Sequence, residues 1–220
     1  MKFPYLDESV YFEFPPAEKA QPDGLLAVGG NMSPGMLLSA YKQGIFPWFS
    51  EGDPILWWSP DPRFVLFPEK FHTPWSLKKY LKRNSFDVFF NTRFKEIIEE
   101  CRKMPRPGQN GTWITGELEK AYIKLYELGY ISCAAVTEPD SDKLTAGIYG
   151  VKIGKCFFGE SMFTKADNAS KYGFAKFVEY LKQEGVVIID CQVKTDNLER
   201  FGAEMIPREQ FLDIINKFAG

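Results

Sequence analysis

From residue 131 onward the apolar residues change their period, and that change restricts the fold more than any other feature of the chain. Upstream, Leu118, Ala121, Tyr122, Leu125 and Leu128 recur at helical spacing, between a Thr115 cap and Gly129. Downstream, Ile131–Val136, Leu144–Val151 and Lys155–Met162 read as three strands, divided by Glu138-Pro139-Asp140-Ser141-Asp142 and by Gly154. A helix from about Ala169 to Gln183 follows and stops at Gly185. The next segment, Val186-Val187-Ile188-Ile189, is continuously apolar, which suits a strand buried on both faces. The first three strands can pair through short turns. The fourth arrives by a helical crossover and should lie parallel to its neighbour. A terminal helix over Arg208 to Phe218 completes a mixed α+β sheet with helices packed on it.

The first half is more broken. Residues 1–30 predict turns and short strands, with Gly24-Leu25-Leu26-Ala27-Val28-Gly29-Gly30 read as a turn. Ser33 caps a helix whose first residue is Pro34, whose apolar stripe is Leu37, Leu38 and Tyr41, and which Gly44 ends. Loops and short strands are expected from there to about residue 74. Gly44–Phe49 and Ile55–Pro62 hold three of the five tryptophans among prolines and glycine. Rings on such a segment make either a rigid platform for a base or an apolar chain, or a satellite core under a loop. A short basic helix is predicted from Ser76 to Arg83, and a strand from Phe86 to Phe90. Asn91 should then cap a helix with Phe94, Ile97, Ile98 and Cys101 on one face, before a Pro/Gly loop over 104–111.

Several functions are excluded or disfavoured. The 220 residues carry a net charge of −2, so nucleic acid would need a local basic patch. The single histidine, His72, rules out a histidine-rich zinc site and reads as a loop residue. Cys101, Cys133, Cys156 and Cys191 are far apart, with no C-x-x-C pair, which suits reduced thiols in a cytoplasmic protein. No apolar run is long enough to span a membrane, and the N-terminus lacks a signal-peptide core. No phosphate loop, dinucleotide fingerprint or zinc-protease motif is present, which disfavours an enzyme that consumes ATP.

Four segments could carry chemistry. Asp190, in Ile189-Asp190-Cys191-Gln192, stands at the carboxyl end of the buried strand, where α/β sheets place ligands. It either orients a proton acceptor or caps a turn. Glu160, in Phe158-Gly159-Glu160-Ser161-Met162-Phe163, lies between aromatics and needs a partner, from a substrate or from a nearby lysine. Lys78, Lys79, Lys82 and Arg83 share one side of the basic helix, which is a phosphate-binding face or a solvated one. Trp113 precedes a helix and either lines a pocket or staples that helix.

Together these segments resemble the leucyl/phenylalanyl-tRNA–protein transferases. The resemblance rests on Gly24–Gly30, Ala40–Ser50, Pro54–Arg63, Gly111–Thr115, Gly159–Phe163, Asn168–Lys171 and Ile189–Gln192, seven motifs in order over residues 24 to 208. It implies a small N-terminal domain over 1–63 and an acetyltransferase-like (GNAT-type) domain over 64–220. It implies transfer of Leu or Phe from aminoacyl-tRNA to the α-amino group of proteins beginning with Arg or Lys, which marks them for degradation, with no cofactor, metal or ATP. A cytoplasmic monomer is expected. By the same resemblance Asp190 and Gln192 are the catalytic pair, with Asp190 polarising Gln192. Trp48, Trp113, Phe157 and Glu160 hold the terminal adenosine and aminoacyl group. Met162, Phe174, Phe177 and Ile189 wall the Leu/Phe pocket, and Lys78, Lys79, Lys82 and Arg83 meet the tRNA acceptor stem. An acyl-CoA-dependent acetyltransferase and a non-catalytic tRNA-binding module are the competing readings.

The chain departs from the family at three places. Pro74-Trp75-Ser76 stands where a Ser-Arg-Ser step is common. Ser132–Val136 lacks the usual acid and tryptophan, and Asn197 replaces a common histidine.

Overall fold

The structure is a computed structural model that describes residues 5–6, 12–104 and 113–220, with side chains described from residue 12 onward. The loop expected over 104–111 therefore lies, beyond Met104, outside the described residues.

Two sheets are present. The smaller contains β1 (Tyr5–Leu6), β2 (Leu25–Gly29), β3 (Phe46–Pro47) and β4 (Leu56–Trp58), in the order β1-β2-β4-β3. The larger has seven strands in the order β11-β5-β10-β9-β8-β7-β6. These are β5 (Arg63–Leu66), β6 (Asp87–Phe90), β7 (Ile131–Thr137), β8 (Leu144–Ile153), β9 (Cys156–Thr164), β10 (Ile188–Gln192) and β11 (Glu204–Ile206). The helices are α1 (Pro34–Lys42), α2 (Trp75–Lys82), α3 (Phe94–Lys103), α4 (Gly116–Glu127), α5 (Ala169–Gln183), α6 (Asp196–Glu199) and α7 (Arg208–Phe218). The α+β class holds: β6 to β9 pair antiparallel in succession, and α5 carries the chain over to β10, which lies parallel to β9. A separate, smaller N-terminal sheet accompanies it.

The larger sheet is covered on both faces, as its small, apolar β7 requires. Cys133 and Ala135 point into one core with Ile97, Ile98, Leu118 and Trp57. Ala134 and Val136 point into the other, with Phe174, Phe177 and Val178 of α5. Gly173 permits the close approach of α5, since a Cβ there would meet Val136 at 2.5 Å.

Local signals explain most element ends. The Ser33 and Thr115 hydroxyls accept from the N–H groups of Met36 and Leu118, capping α1 and α4. Gly44 takes φ +73°, and a Cβ on it would strike Leu212 of α7, so this turn also seats the last helix. Four expectations are corrected. The segment Gly24–Gly30, read as a turn, carries strand β2, which pairs with β1 and β4. Asn91 does not cap α3: Arg93, at φ 59°, holds that position, and the Asn91 side chain instead accepts from Ser132 Oγ and Cys133 N. Leu128 lies past the end of α4 and is exposed. The strand expected from Val186 begins at Ile188 and runs through Asp190 to Gln192, because Val186 N–H is still occupied by Leu181 O at the end of α5.

Candidate active site

A cavity of about 440 Å³ opens at the join of the two sheets. β9 supplies Phe157, Gly159, Glu160 and Met162, β10 supplies Ile189, Asp190 and Gln192, and α5 supplies Phe174. Pro47 and Trp48, at the end of β3, face them, as does Trp113. Parallel pairing makes this convergence possible: Asp190 lies opposite Phe158, so the ends of β9 and β10 open on the same side.

At Asp190 the strand pairing with β5 slips, leaving Cys191 as the extra residue. Gln192 then adopts φ 59°, and its N–H donates to Asp190 Oδ1 at 3.0 Å. The bulge turns the Gln192 side chain toward β9, where Nε2 donates to Glu160 Oε1 at 3.1 Å. Gln192 lines the cavity, and its amide oxygen remains an acceptor.

Asp190 itself is sealed. It is 1% exposed, and Arg63 on β5, with no exposed surface, donates Nε to Oδ1 at 2.8 Å and Nη2 to Oδ2 at 2.6 Å. The guanidinium lies 4.7 Å from both the Phe46 and Phe211 ring centres, sandwiched between them. Its Nη1 is buried without a hydrogen-bond partner among the described residues. The guanidinium thus occupies both carboxylate oxygens. Asp190 does not reach the Gln192 amide; it fixes that residue through the backbone.

Glu160 is the other acid. Tyr41 on α1 and Tyr122 on α4 reach it from beneath the sheet, with Tyr41 Oη 2.7 Å from Oε1 and Tyr122 Oη 2.6 Å from Oε2. The two phenolic oxygens are also 2.8 Å apart. These are three short oxygen–oxygen contacts, and two hydroxyls supply only two protons. A proton on Glu160 completes the ring, whereas its loss leaves one contact without hydrogen. Electrostatics agree. Burial pushes the Glu160 carboxyl up to about 7, and the Asp190 charge adds to this, against the lowering effect of the Tyr122, Tyr41 and Gln192 hydrogen bonds. Burial, and then the Glu160 charge, raise both tyrosines well above 10.0, so they remain neutral donors.

Of the residues singled out in the sequence, Asp190, Gln192, Trp48, Trp113, Phe157, Glu160, Met162, Phe174 and Ile189 all line this one cavity. Phe177 does not. It is fully buried one layer behind, packed edge-on against Phe157 at 5.3 Å, because its position on α5 faces the sheet. The three clustered tryptophans divide. Trp57 is core, its Nε1 donating to Gly29 O, whereas Trp58 donates to Trp48 O and sets the Trp48 ring, 40% exposed, at the cavity mouth. Lys78, Lys79, Lys82 and Arg83 are exposed at α2, outside the cavity lining. His72 is exposed and lines nothing here. Arg63, Tyr41 and Tyr122 are functional groups that sequence reasoning passes over. The signal was available for the tyrosines, since a buried phenol needs a polar partner.

The comparisons with known proteins bear on what this cavity serves. Residues 30–61 match the family model for the leucyl/phenylalanyl-tRNA protein transferase N-terminal domain, and residues 65–216 match that for the leucyl/phenylalanyl-tRNA protein transferase itself. Relatives named leucyl/phenylalanyl-tRNA–protein transferase include one from Anaeromyxobacter sp., 51% identical over 90% of this chain and 84% of its own. Another, from Pseudomonas syringae pv. syringae, is 50% identical over 93% of this chain and 89% of its own. A third, from Christiangramia forsetii, is 50% identical over 92% and 96%. Among solved structures, L-PGS from Bacillus licheniformis aligns with 73% of this chain and 65% of its own, at TM-score 0.44 and 8% identity. A functionally unknown conserved protein from Staphylococcus epidermidis covers 83% and 68%, at TM-score 0.46 and 10% identity. Likenesses at that level say nothing about activity. At about half identity over nearly its whole length, with both family models matched in order, the chain belongs to the leucyl/phenylalanyl-tRNA protein transferase family.

Proposed function

We propose that this protein is an aminoacyltransferase that moves leucine or phenylalanine from the 3′ end of its tRNA onto the α-amino group of a protein beginning with Arg or Lys, which destines that protein for degradation. One observation, joined to family membership, carries the reading. An apolar wall of Phe157, Met162, Phe174 and Ile189 and the polar pair Glu160 and Gln192 face the same cavity. The wall takes the donor side chain, and an unbranched methionine among rings adapts to both leucine and phenylalanine. Trp48 and Trp113 hold the terminal adenosine. The exposed lysines of α2 meet the acceptor stem.

The chemistry is aminolysis of an ester. An amide bond forms between the amine nitrogen and the aminoacyl carbonyl carbon, and the bond from that carbon to the ribose oxygen breaks. The amine must first lose a proton, and its ordinary pKa lies near 8. That proton passes to solvent; as the neutral amine attacks, ionised Glu160 accepts the second proton that its nitrogen sheds and passes it to the departing ribose oxygen. A carboxyl poised near 7 serves both directions. The amide oxygen of Gln192 accepts from the incoming amine and aligns it. Asp190, held by Arg63, positions Gln192 and exchanges no proton. Residues 1–63 and 64–220 are the two domains of a cytoplasmic monomer. Among the described residues no helix is long and apolar enough to cross a membrane.

Labelled Leu-tRNA and labelled acetyl-CoA, each offered with Arg-initiated and Ala-initiated peptides, test the reading. Leucine should pass to the Arg peptide alone. Acetyl transfer instead favours an acyl-CoA enzyme, and binding of tRNA without transfer favours a tRNA-binding module.

A further inference from the structure

α2 exposes more than charge. Trp75, its first residue, is 87% exposed, the most of any large apolar side chain among the described residues. Lys78, Lys79 and Lys82 follow it at spacings of three, four and seven, so all four share one stripe of the helix. Arg83 borders that stripe. Leu77, Tyr80 and Leu81 lie on the opposite side; Leu77 is buried, and Tyr80 and Leu81 pack partly against the core. None of the four cations forms an ion pair with any described residue, whereas Lys103, Lys124, Lys176 and Lys182 on other helices each do. No hydrogen bond or ring contact of Trp75 occurs among the described residues.

The rest of the surface was searched as well. The Arg63–Asp190 pair belongs to the site already described. Cys191 in the cavity wall is a single thiol that burial holds protonated. Val193, half exposed near the cavity mouth, has no neighbouring feature to say what covers it.

We propose that Trp75 stacks on an exposed base, other than the 3′ terminal adenosine, of the RNA whose phosphates the lysines of α2 hold. This rests on the reading that the chain binds tRNA and adds to it a contact that is not electrostatic. A lone exposed tryptophan costs solubility, and ringed by unpaired cations it offers a base one flat face beside phosphate contacts. Pro74 precedes it and fixes the backbone where the helix starts, so the ring is presented from a rigid end. A lipid surface fits less well. An interfacial helix buries a broad apolar face, and the other apolar side chains of α2 point inward.

Stacking releases no counterions, so it separates from the lysines by salt dependence. The probe is a minihelix RNA with a single-stranded 3′ end, titrated at several salt concentrations. Trp75→Ala should weaken binding about 5- to 100-fold at every salt with an unchanged slope. Trp75→Phe should retain most of the affinity. The ring has no described contact to lose, so both variants fold. Wild-type protein that ignores the minihelix overturns both this inference and the tRNA reading. Wild-type protein that binds it with an affinity indifferent to residue 75 overturns this inference alone. Residue 75 governing sedimentation with phosphatidylglycerol vesicles but not RNA affinity assigns the tryptophan to lipid and also overturns it.

Discussion

Glu160 is where a single side chain decides most. Folding raises its carboxyl from an ordinary 4.5 to about 7, so between those values the folded state holds more protons than the unfolded one. Its contribution to stability therefore falls as pH rises through that window and stays low above it, by on the order of 3 kcal/mol. Urea unfolding from pH 4 to 8 should show this loss, and Glu160→Gln should flatten it. In the proposed mechanism the same residue governs rate. Transfer should rise with pH along a limb centred near 7, where Glu160 becomes an acceptor. Glu160→Gln should slow the chemical step by 10²–10⁴-fold and erase that limb, while the limb of the substrate amine remains. An intact limb in that variant shows that another group takes the proton. In the sequence, Glu160 stands out only as an acid between aromatics. Its tyrosine partners lie 119 and 38 residues away, and only the packing of α1 and α4 under β9 brings them together.

Among elements, β5 and β10 matter most, because Arg63 and Asp190 join them inside the sheet. Breaking a buried pair strands a charge, so Arg63→Met or Asp190→Asn alone should destabilise by about 3–5 kcal/mol. The double variant should be more stable than the sum of the two predicts, and a double-mutant cycle by chemical denaturation measures that coupling. Both single variants should lose transfer through a slower chemical step, since the bulge aiming Gln192 depends on them. In α2, Lys78→Ala with Lys82→Ala should lower the slope of log binding constant against log salt by about 1–2. Filter binding with tRNA checks this, and an unaltered slope leaves α2 as plain surface. Elements with strong periodicity and local stops, such as α1, α5 and the run from β7 to β9, were legible in the sequence. β5 was not placed: four residues beginning with an arginine carry no period, and its position between β10 and β11 depends on pairing more than 120 residues away. Asn91 misled for a related reason, since its side chain serves β7 across the sheet and not the helix beside it.

At the scale of the molecule, two cores enclose one sheet, and the cavity forms where the small N-terminal sheet closes over the ends of β9 and β10. The C-terminal half was readable because each local signal agreed with the global arrangement. The site was readable chiefly through its motifs, which named the cavity-lining residues. Its acid–base logic was not, because a bound carboxylate and a poised one look alike in a sequence. Arg63 binds Asp190 at both oxygens, whereas burial lifts the Glu160 carboxyl to about 7. The most direct test of the whole is mass spectrometry of an Arg-initiated peptide after incubation with Leu-tRNA and no ATP. The account predicts a gain of one leucyl residue on the peptide α-amine, with free tRNA as the other product. An unmodified peptide beside intact Leu-tRNA contradicts it.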